Sequence, residues 1–221
     1  MKLAVLFSGG KDSCLALYKV LQGGDDVRYL LNVFPKNNDS FMFHKPDLDL
    51  LGRQAVELGI DLIVKESEGE KEEELGDLKE LIEKISGEIE GIVVGGIASS
   101  YQGERIKKIC DDLNLKFIAP LWDYYSEKVW QELLEGEFEV VLTKIACDGL
   151  GMEWIGRVID KDALTALKVI AEKKKFRIDF EGGEAESAVL FMPGFTNKIK
   201  LDFEVFSEGE HRHFMKIKEI K

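Results

Sequence analysis

The chain has 221 residues, 45% of them hydrophobic and 33% charged, which is enough apolar material for a buried core and enough polar material for a globular surface. A formal net charge of −12 argues against a function driven by nonspecific attraction to nucleic acid or to an anionic membrane. No apolar run approaches the roughly 18–20 residues of a membrane helix.

In chain order, the first half alternates between apolar runs and amphipathic stretches. Lys2–Phe7 reads as a buried strand, too short and too plainly flanked for a secretory signal, so a cytoplasmic protein is expected. Asp12–Gln22 has helical spacing and stops at Gly23-Gly24. Val27–Phe34 is a second strand, Pro46–Leu58 a helix ending at Gly59, and Asp61–Glu66 a third strand. Glu70–Ser86 is a charged helix with Leu75, Leu78, Leu81, Ile82 and Ile85 on one face. Gly91–Gly95 is a fourth strand, Ser100–Leu113 a helix, and Lys116–Pro120 a fifth strand. Strands buried on both faces and separated by helices predict an α/β fold: an N-terminal, doubly wound, Rossmann-like parallel sheet of five strands. Such sheets bind ligands at the carboxyl ends of their strands, which singles out the loops at 8–12, 34–46, 66–70, 95–103 and 120–126.

After Ala119–Trp122 the rhythm changes. A helix over Ser126–Glu135, a strand over Phe138–Ile145, a glycine-rich loop and a helix over Asp162–Lys174 precede a strand-like remainder from Phe176. This predicts a smaller C-terminal α+β domain, with the division placed at 1–121 and 122–221. Cys14, Cys110 and Cys147 form no CxxC pair, which excludes a zinc knuckle or dithiol couple and predicts buried, reduced thiols. His211 and His213 alternate beside a turn and are expected on one strand face without a third metal ligand near. The glycines of GLGMEWIG (149–156) have the wrong spacing for a dinucleotide loop, and the stretch reads as a loop framing a substrate pocket.

The chemistry concentrates in VLFSGGKDSCLAL (5–17). Ser8, Gly9, Gly10 and Lys11 make the turn between the first strand and the first helix. Glycine serves where φ turns positive or a ligand approaches the backbone. Successive N–H groups and the helix N-terminus then form an anion cradle, to which Lys11 adds a full charge. A capped strand-to-helix turn would account for a lone Gly-Gly, but not for Ser-Gly-Gly-Lys-Asp-Ser directly after a first strand. The pattern is neither the Walker loop nor the dinucleotide fingerprint.

SGGKDS resembles the pyrophosphate loop of the N-type ATP pyrophosphatases, which split ATP between its α and β phosphates and adenylate a substrate. The resemblance implies an adenine-nucleotide-hydrolase-like fold. The N–H groups of Ser8, Gly9, Gly10 and Lys11 and the hydroxyls of Ser8 and Ser13 would hold the β and γ phosphates, with Lys11 neutralising the leaving pyrophosphate and Asp12 carrying Mg²⁺. Adenine would lie near Val33 and Phe34. Lys11 and Asp12 are both expected on a solvent-facing loop. FMFHKPD (41–47), GGIASSYQGERIKKICDDLNLKFIAPLW (95–122), CDGLGMEWIGR (147–157) and FEGGEAESAVLFMPGF (180–195) together resemble the diphthine–ammonia ligase family over residues 1–195. Ser100 and Gly103 stand where that family has acidic and basic residues, and Phe180, Ala185 and Ser187 where it has Gly, an aromatic and Thr.

That family forms an acyl adenylate on diphthine of elongation factor 2 with ATP and Mg²⁺, and passes ammonia to it. The resemblance implies catalytic roles for Lys11, Asp12 and His44, and substrate contacts by Tyr101, Gln102, Arg105, Glu181, Glu184 and Glu186. Trp122 and Trp154 offer either an aromatic surface for a trimethylammonium group or core packing. The lack of an N-terminal cysteine and of a glutaminase-length extension points to free ammonium as nitrogen donor. Two other readings remain: a related enzyme adenylating another carboxylate or transfer RNA, and a non-catalytic ATP sensor. Nothing in the pattern demands a homodimer, although the acidic surface and C-terminal strands would permit one.

Overall fold

The computed structural model describes residues 1–36, 46–68, 71–96 and 100–221, without the side chains of 71, 72 and 100–102. The chain divides into two compact units, one of 1–8 with 12–123 and one of 9–11 with 124–221.

The first unit is a parallel sheet. Its strands are β1 (Lys2–Leu6), β2 (Asp26–Pro35), β3 (Asp61–Ser67), β4 (Gly91–Val93) and β5 (Lys116–Ile118), in the spatial order β3-β2-β1-β4-β5. Every pairing is parallel. The helices are α1 (Lys11–Gln22), α2 (Leu48–Leu58), α3 (Lys71–Glu83) and α4 (Ser100–Asp112). This is the five-stranded, Rossmann-like arrangement expected. β1 runs Leu3, Ala4 and Val5 with no solvent exposure, as a strand covered on both faces must. Ala4, Leu31, Val33 and Ile92 pack with Leu78, Leu81 and Ile82 of α3 and Ile106, Ile109 and Cys110 of α4. Of the charged stretch expected as a helix over Glu70–Ser86, Lys71–Glu83 is helical because one apolar stripe is buried, and 84–86 form a turn.

Local signals place the helix ends. The Asp47 carboxylate accepts the Leu50 N–H at 3.0 Å and caps α2, which therefore starts at Leu48 rather than Pro46. Gly59, at φ 66°, ends it. Strand order reverses between β1 and β4, since β1 continues to β2 on one side while β4 joins it on the other. The loops after those two strands therefore flank the switch point, where open α/β sheets bind ligands.

The second unit holds α5 (Ser126–Glu135), β6 (Glu139–Ala146), α6 (Lys161–Lys174), β7 (Ala185–Phe191), β8 (Leu201–Ser207) and β9 (Arg212–Ile220). Its sheet is antiparallel, in the order β7-β6-β9-β8, the smaller α+β part expected. The GLGMEWIG stretch forms a short 3₁₀ turn at Met152–Trp154 and runs back along β6, where Gly156 N–H donates to the Leu142 carbonyl at 2.9 Å. His211 lies before β9, exposed, while His213 is buried in β9 with Nδ1 2.8 Å from Ser207 Oγ. The two histidines therefore do not share a strand face, because the strand begins only at Arg212.

Candidate active site

In the first unit the site begins at the end of β1. The chain is held there by Phe7, whose N–H donates to the Leu31 carbonyl and whose carbonyl accepts from Asn32 Nδ2, both at 2.8 Å. Asn32 is buried, and among the described residues its Oδ1 has no hydrogen-bond partner. Sequence reading passed over it because it sits inside an apolar run. Ser8 and Ser13, both expected to grip phosphate, also meet each other: their hydroxyl oxygens lie 3.2 Å apart, and Ser8 N–H donates to Ser13 Oγ at 3.3 Å. They close the elbow. Gly9 has φ 72°, the left-handed conformation that glycine adopts without strain.

The loop after β4 approaches the same place. A Cβ on Gly95 would stand 2.7 Å from the Ser13 nitrogen and 2.8 Å from the Asp12 carbonyl carbon, so only glycine lets this strand end lie against the first turn of α1. Asp12 is half-buried in that turn. Val33 and Phe34 lie at the carboxyl end of β2, opposite Lys65 and Glu66. On α4, Tyr101, Gln102 and Arg105 occupy the N-terminal end of a helix that follows β4; of their side chains only Arg105, half-buried, is described. A Cβ on Gly103 would lie 2.9 Å from the Trp122 indole, so a larger residue there requires that ring to shift. His44 lies outside the described residues. Near the end of β3, a cavity of about 410 Å³ is lined by Glu66, Glu68, Glu73, Asp77 and Glu80 with Ser67 and Gly76. Four of its carboxylates are ion-paired, Glu66 and Glu68 with Lys36 and Asp77 and Glu80 with Lys65.

In the second unit, Gly9–Lys11 is held along β7. Val189 N–H donates to the Gly9 carbonyl at 3.0 Å and Lys11 N–H donates to Ser187 Oγ at 3.2 Å. Lys11 is 2% exposed, and its ammonium donates to the Asp179 carbonyl at 2.6 Å. The solvent-facing position expected for it is therefore corrected: the side chain is drawn into the turn at 179–180 instead of water. The ammonium lies 5.8 Å from the centroid of Phe180, a cation–π distance. Phe180 itself has φ 64°, the left-handed region that an L-residue enters only with strain. Its ring meets Trp130 edge-on at 6.3 Å, contact that offsets the strain.

The Asp179 carboxylate faces the other way, fully buried. It accepts from Arg177 Nη2 at 2.6 Å, Arg177 Nε at 3.0 Å, Ser126 Oγ at 2.5 Å and the Glu181 N–H at 3.1 Å. Burial alone would raise its pKa, but the hydrogen bonds from Arg177, Ser126 and Glu181 and the guanidinium charge outweigh it and hold the carboxyl below the usual range.

The three glutamates of the glycine turn separate. Glu181 is exposed. Glu184 accepts the Arg177 N–H at 3.2 Å through Oε1, and its buried Oε2 has no hydrogen bond among the described residues. Glu186 pairs with Lys144 at 2.9 Å. Among the described residues no group of three or more His, Cys, Asp or Glu is placed to hold a metal. Trp154 is 3% exposed with Arg157 4.8 Å above its ring, so it packs in the core and already carries a cation. Trp122 is 37% exposed. Cys14 and Cys110 are buried as expected, while Cys147 is half-buried. Burial, then the charges of Glu184 and Asp148, push its thiol up to about 11. No described helix is long and apolar enough to cross a membrane.

Comparison with known proteins agrees with this architecture. A family model described as the diphthamide synthase N-terminal domain matches residues 1–117, and one described as its C-terminal domain matches residues 125–221. The diphthine–ammonia ligase of Bos taurus is 30% identical over 91% of this chain and 83% of its own length. The enzyme of Mus musculus is 31% identical over the same shares. That of Schizosaccharomyces pombe is 31% identical over 95% of this chain but only 38% of its own length. The chain belongs to the diphthamide synthase family.

Proposed function

We propose that the protein is an ATP-dependent ligase that adenylates the carboxylate of diphthine on elongation factor 2 and passes ammonia to it, giving diphthamide, AMP and pyrophosphate. The observation that carries this reading is the Ser-Gly-Gly-Lys-Asp-Ser turn after β1, with Gly9 at φ 72° and Gly95 set against Asp12 and Ser13 beside the switch point of the parallel sheet, in a chain of the diphthamide synthase family.

In the first step a diphthine carboxylate oxygen bonds to the α phosphorus of ATP, and the bond to the β-phosphate oxygen breaks. Pyrophosphate leaves with that electron pair. Lys11, with the loop of Ser8, Gly9, Gly10 and Ser13, stabilises the charge that builds on it, the largest contribution in such transfers. In the second step ammonia attacks the acyl carbon, loses a proton, and AMP departs from the tetrahedral centre. His44 is assigned proton transfer. Val33 and Phe34 hold adenine. Tyr101, Gln102, Arg105, Glu181, Glu184 and Glu186 contact the modified histidine, the glutamates facing its quaternary ammonium. Residues 1–121 serve the nucleotide and 122–221 the substrate.

Mg²⁺ fits one position. It is held by one or two carboxylates and substrate phosphates rather than by a protein cage, and Asp12 supplies a carboxylate in the first turn of α1. When bound, the ion would add positive charge at the leaving pyrophosphate.

The test is to incubate the protein with ATP, ammonium and diphthine-bearing elongation factor 2. AMP and an amidated histidine are expected in equal amounts, and ADP in place of AMP overturns the reading. Asp12→Asn lowers turnover at least about 100-fold, the scale of losing one such electrostatic group, with the melting temperature retained.

A further inference from the structure

We infer that the outer face of the antiparallel sheet binds single-stranded nucleic acid: the Phe206 and Phe214 rings stack on bases, and Arg212 and Lys216 meet the phosphates to either side. The site lies within the second unit alone and is independent of the ATP reading.

Register defines the face. Phe206 stands opposite Phe214 and Glu204 opposite Lys216 across β8 and β9, and alternation along β9 brings Arg212, Phe214 and Lys216 to one side. On the other side His213 is buried and the Phe203 ring lies against Gly156, so packing accounts for the apolar groups there. The outer side is different. Phe206 is 40% exposed, and its ring stacks on Phe214 at 5.8 Å with 18° between the planes.

A cross-strand aromatic pair steadies a hairpin. That accounts for the rings but not for the cations around them. Lys144, the β6 neighbour of Phe214, pairs with Glu186 at 2.9 Å, and Lys218 pairs with Glu204 at 2.5 Å. Among the described residues Arg212 and Lys216 meet no carboxylate within ion-pair distance. Lys216 Nζ instead stands 5.8 Å from the Phe206 centroid. Both side chains are exposed. In a chain of net charge −12, acids are in surplus, so two cations left beside an exposed aromatic pair form a local exception.

Charge selects an anionic partner, and the rings select one with flat π surfaces. A single strand carries base faces and phosphates in alternation along one chain. On β9 a cation, a ring and a cation follow at every second residue, roughly 7 Å apart. A duplex hides its base faces in the stack, and an acidic peptide brings charge without a ring at each step.

Fluorescence anisotropy of the full chain with labelled 12-residue oligo(U) and oligo(dT) tests this. Binding to at least one is expected at low salt. Two phosphate contacts predict a slope of log K against log salt of about −1.4, and Arg212→Ala and Lys216→Ala should each remove about 0.7 of it. Phe206→Leu keeps the apolar bulk but loses the π face, and should weaken binding about 5–100-fold, the scale of one base stacked on an aromatic ring. Phe206→Trp should restore it. No binding to either strand overturns the inference, as does binding that ignores Phe206→Leu and Lys216→Ala alike. Inorganic polyphosphate bound as tightly as the oligonucleotides would mean that charge alone acts, which also overturns it. So would a poly-glutamate peptide that binds at these residues where the oligonucleotides do not, or a concentration-dependent dimer that Phe206→Leu dissociates. Lys216→Ala changes an exposed side chain, so the salt slope decides the matter even if Phe206→Leu fails to fold.

Discussion

The two sheets bury their strands in different ways. In the parallel sheet Leu3, Ala4, Val5, Leu30 and Ile92 are all sealed from water, since helices cover both faces. In the antiparallel sheet β8 and β9 are two-sided. Phe203 opposite Ile217 and Val205 opposite Met215 are half-buried, while Glu204 opposite Lys216 is exposed. A sheet sealed on both faces has polar groups converging at its strand ends, and the SGGKDS elbow sits at such an end. The largest test of this contrast is a matched truncation. Ile92→Ala should cost about 2–5 kcal/mol in urea unfolding, as for a buried large-to-small change. Ile217→Ala should cost about 1 kcal/mol, in proportion to the area it hides. Equal costs would break the contrast.

Glycines sharpen it on a smaller scale. Gly95 is required for space: its missing Cβ would collide with the Asp12–Ser13 backbone, which cannot step aside as a flexible side chain could. Gly183 has φ 81° and nothing within 4 Å of a built Cβ, so it is required for conformation alone. Gly95→Ala is expected to cost about 1–3 kcal/mol and to weaken ATP binding, because the clash falls on the first turn of α1. Gly183→Ala is expected to cost roughly 1–2 kcal/mol, the left-handed penalty of an L-residue, with ATP affinity retained. An ATP affinity untouched by Gly95→Ala would remove the switch-point argument.

What was legible in advance follows from the same physics. Runs such as Leu3-Ala4-Val5 announce a doubly covered strand, and the Leu78, Leu81, Ile82 stripe announces its helix, because each pattern is local. The SGGKDS elbow is also local. Asn32 was hidden because its role depends on β1 lying beside β2. Gly95 was hidden because nothing in GIVVGG says that α1 starts against it. Asp179 was hidden for a deeper reason: it meets Lys11 through a carbonyl, and a carbonyl has no residue type. The FEGGE stretch was noticed for its glutamates, yet among the described side chains Glu186 pairs with Lys144 and Glu181 is exposed, while the residue just before the stretch holds the lysine.

The smallest expected effect separates two carboxylates, one in each unit. Burial would raise the pKa of Asp77, but hydrogen bonds from Ser67 and Lys65 and the lysine charge bring it below the usual range, and Asp179 is held down in the same direction by Arg177 and Ser126. A carboxyl whose folded pKa lies below its unfolded value of about 3.9 stabilises the fold above that value, and the contribution disappears as pH falls through the folded pKa. Asp179→Asn and Asp77→Asn should therefore both lower the melting temperature at pH 7, and both deficits should close as the pH is brought toward 3. The side chain of Asp77 is 23% exposed and that of Asp179 is sealed, so water reaches the first carboxylate and not the second. The Asp179 deficit should be the larger of the two and the steeper in pH. A larger deficit for Asp77→Asn would mean that the turn at 179 is held by its aromatic packing on Trp130 rather than by its buried charge.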